Sequence, residues 1–159
     1  MKTKITLLAA ILWFSLYAPV SAQESWQTDI KVSVLDAQNR LSIGQKIEAS
    51  DGWNARFDVP ALLFGDIMAY LEEPAGRKYW RKFRGSCDGH PCIKTWDAIV
   101  ESELKDQVIK MEWNPSSFPM EMAISLIDES TGNVINMKTQ TEYTYNNIGT
   151  RKFRVEVQR

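Results

Sequence analysis

The sequence predicts an all-β protein, namely an antiparallel Ig-like β-sandwich of about eight or nine short strands, with a β-barrel as the alternative. Two observations support this prediction. Apolar and polar residues alternate along many short segments, as they do in half-buried strands. Turn-forming residues interrupt these segments about every 8–12 residues, which is the spacing typical of antiparallel β-proteins. The six Trp, five Tyr and six Phe residues supply enough apolar surface for a folded core.

Four strands are predicted in the first two thirds of the chain. They cover 26–34, 41–49, 67–71 and 94–101. Inward-facing residues lie two positions apart in most of them, at Ile30, Val32 and Val34, at Ile43 and Ile47, and at Trp96, Ala98 and Val100. We expect Trp26, Trp96 and Trp113 in the core, because a buried Trp is usual in a sandwich. A helix is possible near 101–107, but this segment is too short to anchor a helical domain.

Five further strands are predicted after the possible helix. They cover 108–113, 122–127, 134–137, 142–145 and 151–157. Turn chemistry separates them, as in Asp128-Glu-Ser-Thr-Gly-Asn133 and in Asn146-Asn-Ile-Gly149. The last strand places Phe153, Val155 and Val157 on one face.

The N-terminal 22 residues have the pattern of a signal peptide. Lys2 and Lys4 form a positive region, Ile5–Ala18 is apolar, and Val20-Ser21-Ala22 offers small residues for cleavage before Gln23. An uncleaved anchor is the alternative, although a membrane-spanning helix needs roughly 20 apolar residues. We therefore expect residues 23–159 to form a single Ig-like domain. We expect it to be secreted or periplasmic, with association with the cell surface as a further option, and to have no transmembrane segment after cleavage.

The charge balance argues against a nucleic-acid partner. Without residues 1–22, 17 of the 19 basic residues remain against 20 acidic ones, a net charge of −3. A protein that binds nucleic acid usually carries an excess of positive charge.

The two cysteines, Cys87 and Cys92, predict one disulfide, since an exported protein meets an oxidising environment. The residues between them, Asp88-Gly-His-Pro91, are turn formers that let the chain fold back. A metal site using Cys87, His90 and Cys92 is the alternative, but structural zinc needs four ligands. We expect no cofactor and no metal.

Residues 107–157 resemble bacterial secreted and cell-surface Ig-like domains, including C-terminal sorting domains and the flagellar hook-capping Ig-like module. The similarity is carried by Trp113-Asn-Pro, Leu126-Ile-Asp128 followed by Thr131-Gly132, Tyr143-Thr-Tyr145 and Arg151-Lys-Phe153. It implies a β-sandwich and a location at the cell surface, and it implies no catalytic residue. No large passenger domain precedes the sandwich, so the resemblance does not imply a pure sorting role.

Enzymatic motifs are missing from the sequence. His90 is the only histidine and lies between the cysteines, so a hydrolytic triad lacks its usual base. The chain has no nucleophile-elbow, zinc-protease, phosphate-loop or dinucleotide motif. A glycosidase-type pair of carboxylates is compatible with the 20 acidic residues, but sequence alone cannot pair them.

The most unusual segment is Arg77-Lys-Tyr-Trp-Arg-Lys-Phe-Arg84, in which five cations and three aromatics occur without an acid. It predicts either an edge strand protected by its charges or a cationic aromatic patch for an anionic partner. We expect binding through Arg77, Lys78, Tyr79, Trp80, Arg81 and Lys82, together with Trp53 from the long connection 50–66. Asp51, Asp58 and Asp66 of that connection suit turn and capping roles better than calcium.

The sequence therefore predicts a non-catalytic exported protein that binds or organises a partner at the bacterial envelope or surface. The partner would be an envelope or surface protein, or an anionic polysaccharide. A carbohydrate-binding module and a small polysaccharide hydrolase that uses two carboxylates are the alternatives.

Overall fold

A computed structural model describes residues 25–87, 89 and 91–159 of the chain. The predicted signal peptide lies outside the described residues, as do Asp88 and His90. In the described ranges, no helix is long and apolar enough to cross a membrane.

The described part of the chain is all-β, as predicted, but it contains eleven strands where eight or nine were expected. The strands are β1 Trp26–Val34, β2 Ala37–Lys46, β3 Val59–Pro60, β4 Ile67–Glu72, β5 Lys78–Gly85, β6 Ile93–Ser102, β7 Val108–Glu112, β8 Ala123–Asp128, β9 Asn133–Asn136, β10 Glu142–Asn146 and β11 Arg151–Gln158. All of them belong to one mixed sheet in the order β10-β7-β1-β2-β5-β4-β6-β11-β8-β9, with β3 beside β5. This sheet nearly closes into a barrel, so the architecture is closer to the alternative prediction than to a sandwich of two sheets.

The period-two patterns locate the strands well. All nine predicted strands form, and the first matches β1 at both ends. The possible helix near 101–107 is absent, because β6 continues to Ser102 and a turn with Asp106 at φ 60° follows. Sequence analysis missed the short β3, and it did not expect β5 to pair in parallel with β2.

Inward-facing residues of the strands form one hydrophobic cluster. Trp26, Trp96 and Trp113 are buried in it, as predicted. The ring of Trp26 meets that of Trp96 edge to face, with centroids 6.0 Å apart. Alternation along β1 and β11 explains this core, since every second residue of each strand is buried.

The two edges of the sheet, β9 and β10, are consecutive in the chain, and side chains around Asp128 of β8 link the region between them. Arg151 Nε donates to both carboxylate oxygens of buried Asp128, at 3.1 and 3.0 Å. Tyr143 Oη, from β10, donates to Asp128 Oδ2 at 2.8 Å. Trp113 Nε1 donates to the Met137 and Gln140 carbonyls and so fixes the turn between β9 and β10. Tyr143 thus bridges β10 to β8 and β9 by side-chain contacts, while the backbones of β9 and β10 do not pair.

Candidate functional site

The cationic segment Arg77–Arg84 forms most of β5, which has strand partners and is not an exposed edge. Residues 81–85 pair in parallel with β2, residues 78 and 79 pair with β4, and β3 pairs at Tyr79 and Arg81. The edge-strand interpretation is therefore wrong. β5 lies between β2 and β4, and the connection 50–66 supplies the short β3 and two carboxylate acceptors to its remaining backbone.

Two carboxylates from that connection replace a strand partner along β5. Asp58 Oδ1 accepts from the Phe83 N–H at 2.9 Å, and Asp51 Oδ1 accepts from the Gly85 N–H at 3.1 Å. Asn54 Nδ2 donates to the Ser50 carbonyl at 2.8 Å and so closes the turn that contains Trp53. Asp58 also accepts from the Asn54 N–H at 2.8 Å, which is the turn role expected of it. The Asp51 carboxylate instead bonds to Gly85 and Lys94, which are distant in sequence.

Lys82 is buried in an ion-pair cluster and does not contribute to a free cationic patch. Its Nζ lies 2.7 Å from Asp58 Oδ2 and 3.2 Å from Glu73 Oε1, and it also donates to the Gly52 carbonyl. Only 1% of the Lys82 side chain is exposed. A buried charge requires such pairing, because desolvation without a partner is costly. Lys82 therefore fastens the connection 50–66 to β5.

The remaining arginines of the segment also bond to the protein. Arg81 Nε donates to the Phe57 carbonyl at 2.8 Å, and Arg84 Nε donates to the Thr95 carbonyl at 3.2 Å. Arg77 pairs with Glu73 at 3.1 Å, but more than half of its side chain is exposed. Arg77 thus remains accessible, whereas Lys82 is enclosed and Arg81 is only partly accessible.

Four of the seven predicted binding residues line one recess, which we call the Trp53 recess. Trp53, Arg77, Lys78 and Tyr79 line it together with Pro60, and its volume is about 310 Å³. The Trp53 indole stacks on Tyr79, with centroids 5.5 Å apart and planes 27° from parallel. Tyr79 is buried, whereas Trp53 is 43% exposed. The Trp53 indole therefore exposes aromatic surface to solvent while it packs on the buried Tyr79 ring.

The polar groups of the recess are cations and one neutral hydroxyl. Lys78 lines the recess, and its Nζ lies 4.2 Å from the centroid of the Tyr70 ring and 3.1 Å from the Tyr70 hydroxyl oxygen, outside the recess. Burial raises the pKa of Tyr79, and Glu73 adds to this rise, so the phenol stays protonated at neutral pH. Its hydroxyl makes no hydrogen bond within the described part of the chain. The recess thus combines ring stacking with positive charge.

Trp80 is not part of this recess. It lines a separate groove of about 350 Å³, the Trp80 groove, whose other lining residues are Lys31, Gln38, Asn39, Arg40, Leu62 and Phe64. Sequence analysis did not single out these six residues. One signal was present, because the apolar run Leu62-Leu-Phe64 stands in a connection otherwise rich in turn formers.

Cys87 and Cys92 form the predicted disulfide. Beyond it, the Cys92 and Arg159 backbones bond in both directions, at 3.3 and 3.0 Å, so the closed turn fastens the C-terminal end of the chain. Both cysteines are therefore unavailable as thiolate ligands, and His90 lies outside the described residues. In the described ranges, no cluster of three or more His, Cys, Asp or Glu side chains could hold a metal ion.

The chain matches no family model, no curated protein sequence and no solved structure.

Proposed function

We propose that the protein is an exported, non-catalytic binding module of the bacterial envelope or surface and that its Trp53 recess binds an anionic polysaccharide. The observation that carries the proposal is the stacked pair Trp53–Tyr79, with Arg77 and Lys78 in the same recess. An envelope or surface protein is the other partner class that fits an exported module.

The chemistry of the recess fits a sugar that carries acid groups. An exposed indole offers an apolar face against which a sugar ring packs. Arginine bonds a carboxylate through two parallel N–H donors, and lysine supplies a point charge. Arg77 and Lys78 are thus suited to uronate carboxylates on a chain whose rings stack on Trp53. Arg77 is the exposed partner in its ion pair with the buried Glu73. Glu73 also pairs with Lys82 and Arg84, so Arg77 can turn to a ligand without leaving that carboxylate unpaired.

The compartment is supported by the disulfide and by the signal-peptide pattern of residues 1–22. Disulfides persist outside the reducing cytoplasm. A partner at the cell surface is consistent with that location.

Affinity electrophoresis in gels that contain polygalacturonate tests this proposal, with neutral dextran as the reference. We expect polygalacturonate, but not dextran, to retard the migration of the protein. Salt should weaken this retardation, because the contacts are ionic. Trp53→Ala and Arg77→Ala should each abolish most of the retardation. Met120→Ala is the matched control, since Met120 is 92% exposed and does not line the recess. Equal retardation of all variants would refute the proposal, and depolymerisation of the polysaccharide would identify an enzyme instead.

A further inference from the structure

The Trp80 groove is a second candidate binding surface, independent of the Trp53 recess. Trp80 comes from β5, Leu62 and Phe64 come from the connection 50–66, and Lys31 and Arg40 come from β1 and β2. Its volume, about 350 Å³, lies at the lower end of the range for ligand pockets. A ligand group of one or two side chains therefore fits it better than a large rigid molecule.

The apolar walls of the groove are unusually open to solvent. Leu62 is 62% exposed and Phe64 is 68% exposed. Leu63, between them, does not line the groove, so residues 62 and 64 face it together. Gly65, at φ 97°, then turns the chain away in a conformation that favours glycine. Clustered exposed apolar side chains of this kind mark interaction sites.

The charge of the groove is positive, since Lys31 and Arg40 are the charged residues that line it in the described part of the chain. Both have acidic neighbours outside the groove, with Lys31 at 3.9 Å from Glu112 and Arg40 at 3.3 Å from Asp29. These ion pairs are largely exposed and contribute little to stability. The two cations can therefore exchange these partners for carboxylates of a ligand.

We propose that the Trp80 groove binds an extended acidic segment of a partner protein. An aromatic or branched aliphatic side chain of the segment packs between Trp80, Leu62 and Phe64, while flanking carboxylates pair with Lys31 and Arg40. Trp and Arg are the residue types that most often dominate protein interfaces. A short segment samples only the local charge within about 10 Å. An anionic bilayer would face a larger part of a chain with a net charge of −3 after residue 22.

Phage display of random dodecapeptides on the protein, expressed from its full-length sequence, tests the proposal. We expect enrichment of peptides that place an aromatic or branched aliphatic residue beside Asp or Glu. Fluorescence anisotropy of a selected peptide should show about a tenfold loss of affinity for Phe64→Ser and for the pair Lys31→Glu with Arg40→Glu. Val134→Ser is the control, because Val134 is similarly exposed but lies outside the groove.

A charge swap separates binding from folding. The selected peptide with its acids replaced by Lys should bind the Lys31→Glu, Arg40→Glu variant better than the native protein. A merely structural role of these cations would not produce that reversal. Enrichment of peptides that lack Asp and Glu, or equal affinity of all protein variants for the selected peptide, would overturn the proposal. Cosedimentation with phosphatidylglycerol vesicles that depends on Leu62 and Phe64 would overturn it in favour of a membrane surface.

Discussion

Lys82 Nζ lies 2.7 Å from Asp58 Oδ2, and the two buried residues are 24 positions apart in sequence. This contact joins β5 to the connection 50–66. In that connection, Trp53 precedes Asp58 in sequence, and Leu62 and Phe64 follow it. Glu73 binds the same lysine from the turn after β4. The buried ion pair thus helps to fasten to β5 the connection that contributes residues to both candidate binding surfaces.

Lys82→Met should destabilise the protein by about 3–5 kcal/mol, because it leaves the buried carboxylate of Asp58 without its cation. Urea unfolding followed by tryptophan fluorescence measures the change. Arg56→Met is the matched control, since Arg56 pairs with Glu48 at the surface. The control should stay within about 0.5 kcal/mol of the native protein. Similar losses in both variants would contradict a special role for Lys82.

Asp128 should make stability depend on acid pH. Burial opposes its ionisation, but hydrogen bonds from Arg151, Tyr143 and the Ser130 N–H outweigh burial and lower its pKa. Its contribution is therefore complete above the ordinary aspartate pKa of about 3.9 and is lost as the pH falls through the lower pKa of the folded state.

Asp128→Asn tests this dependence, because the amide does not titrate. The variant should be less stable than the native protein at neutral pH, and the gap should narrow at a pH well below the ordinary aspartate value. Urea unfolding at a series of pH values measures the gap. Other carboxylates affect both proteins alike, so the difference isolates Asp128. A gap that stays constant with pH would contradict the assignment.

The strands were predictable from sequence because their periodicity is local. The alternation of Ile30, Val32 and Val34 identifies β1 whatever its neighbours are. The role of β5 was not predictable, since the partners of Lys82 lie outside the segment. The parallel pairing of β2 with β5 and the near closure of the barrel also depend on contacts distant in sequence.

The residues of the candidate sites were likewise predictable only where a local sequence pattern indicates them. The aromatic and cationic composition of 77–84 indicated Arg77, Lys78 and Tyr79, which the structure brings beside Trp53. Composition could not distinguish these residues from Lys82, which turns inward. The Trp80 groove joins residues from β1, β2, the connection 50–66 and β5, so no local pattern could assemble it.

The Cys87–Cys92 disulfide should contribute less than the roughly 3 kcal/mol expected for a 15-residue loop, because the loop that it closes is short. The Cys87→Ser, Cys92→Ser variant should show a modestly lower urea midpoint. Addition of dithiothreitol should lower the midpoint of the native protein and leave that of the variant unchanged. A native midpoint insensitive to complete reduction, checked by thiol titration, would contradict a stabilising disulfide.

Gly44 should not tolerate a side chain, because β1 lies against it. A Cβ at this position would sit 2.1 Å from the Trp26 carbonyl oxygen and 2.9 Å from Gln27 Cα, and both are backbone atoms. Gly44→Ala should therefore force β1 and β2 apart and cost at least about 1–3 kcal/mol in urea unfolding, as overpacking does. Gly52→Ala is the control, since its Cβ would meet nothing closer than Ser50 Oγ at 3.7 Å. If both variants unfold at the same urea concentration as the native protein, the close approach of β1 and β2 at Gly44 is incorrect.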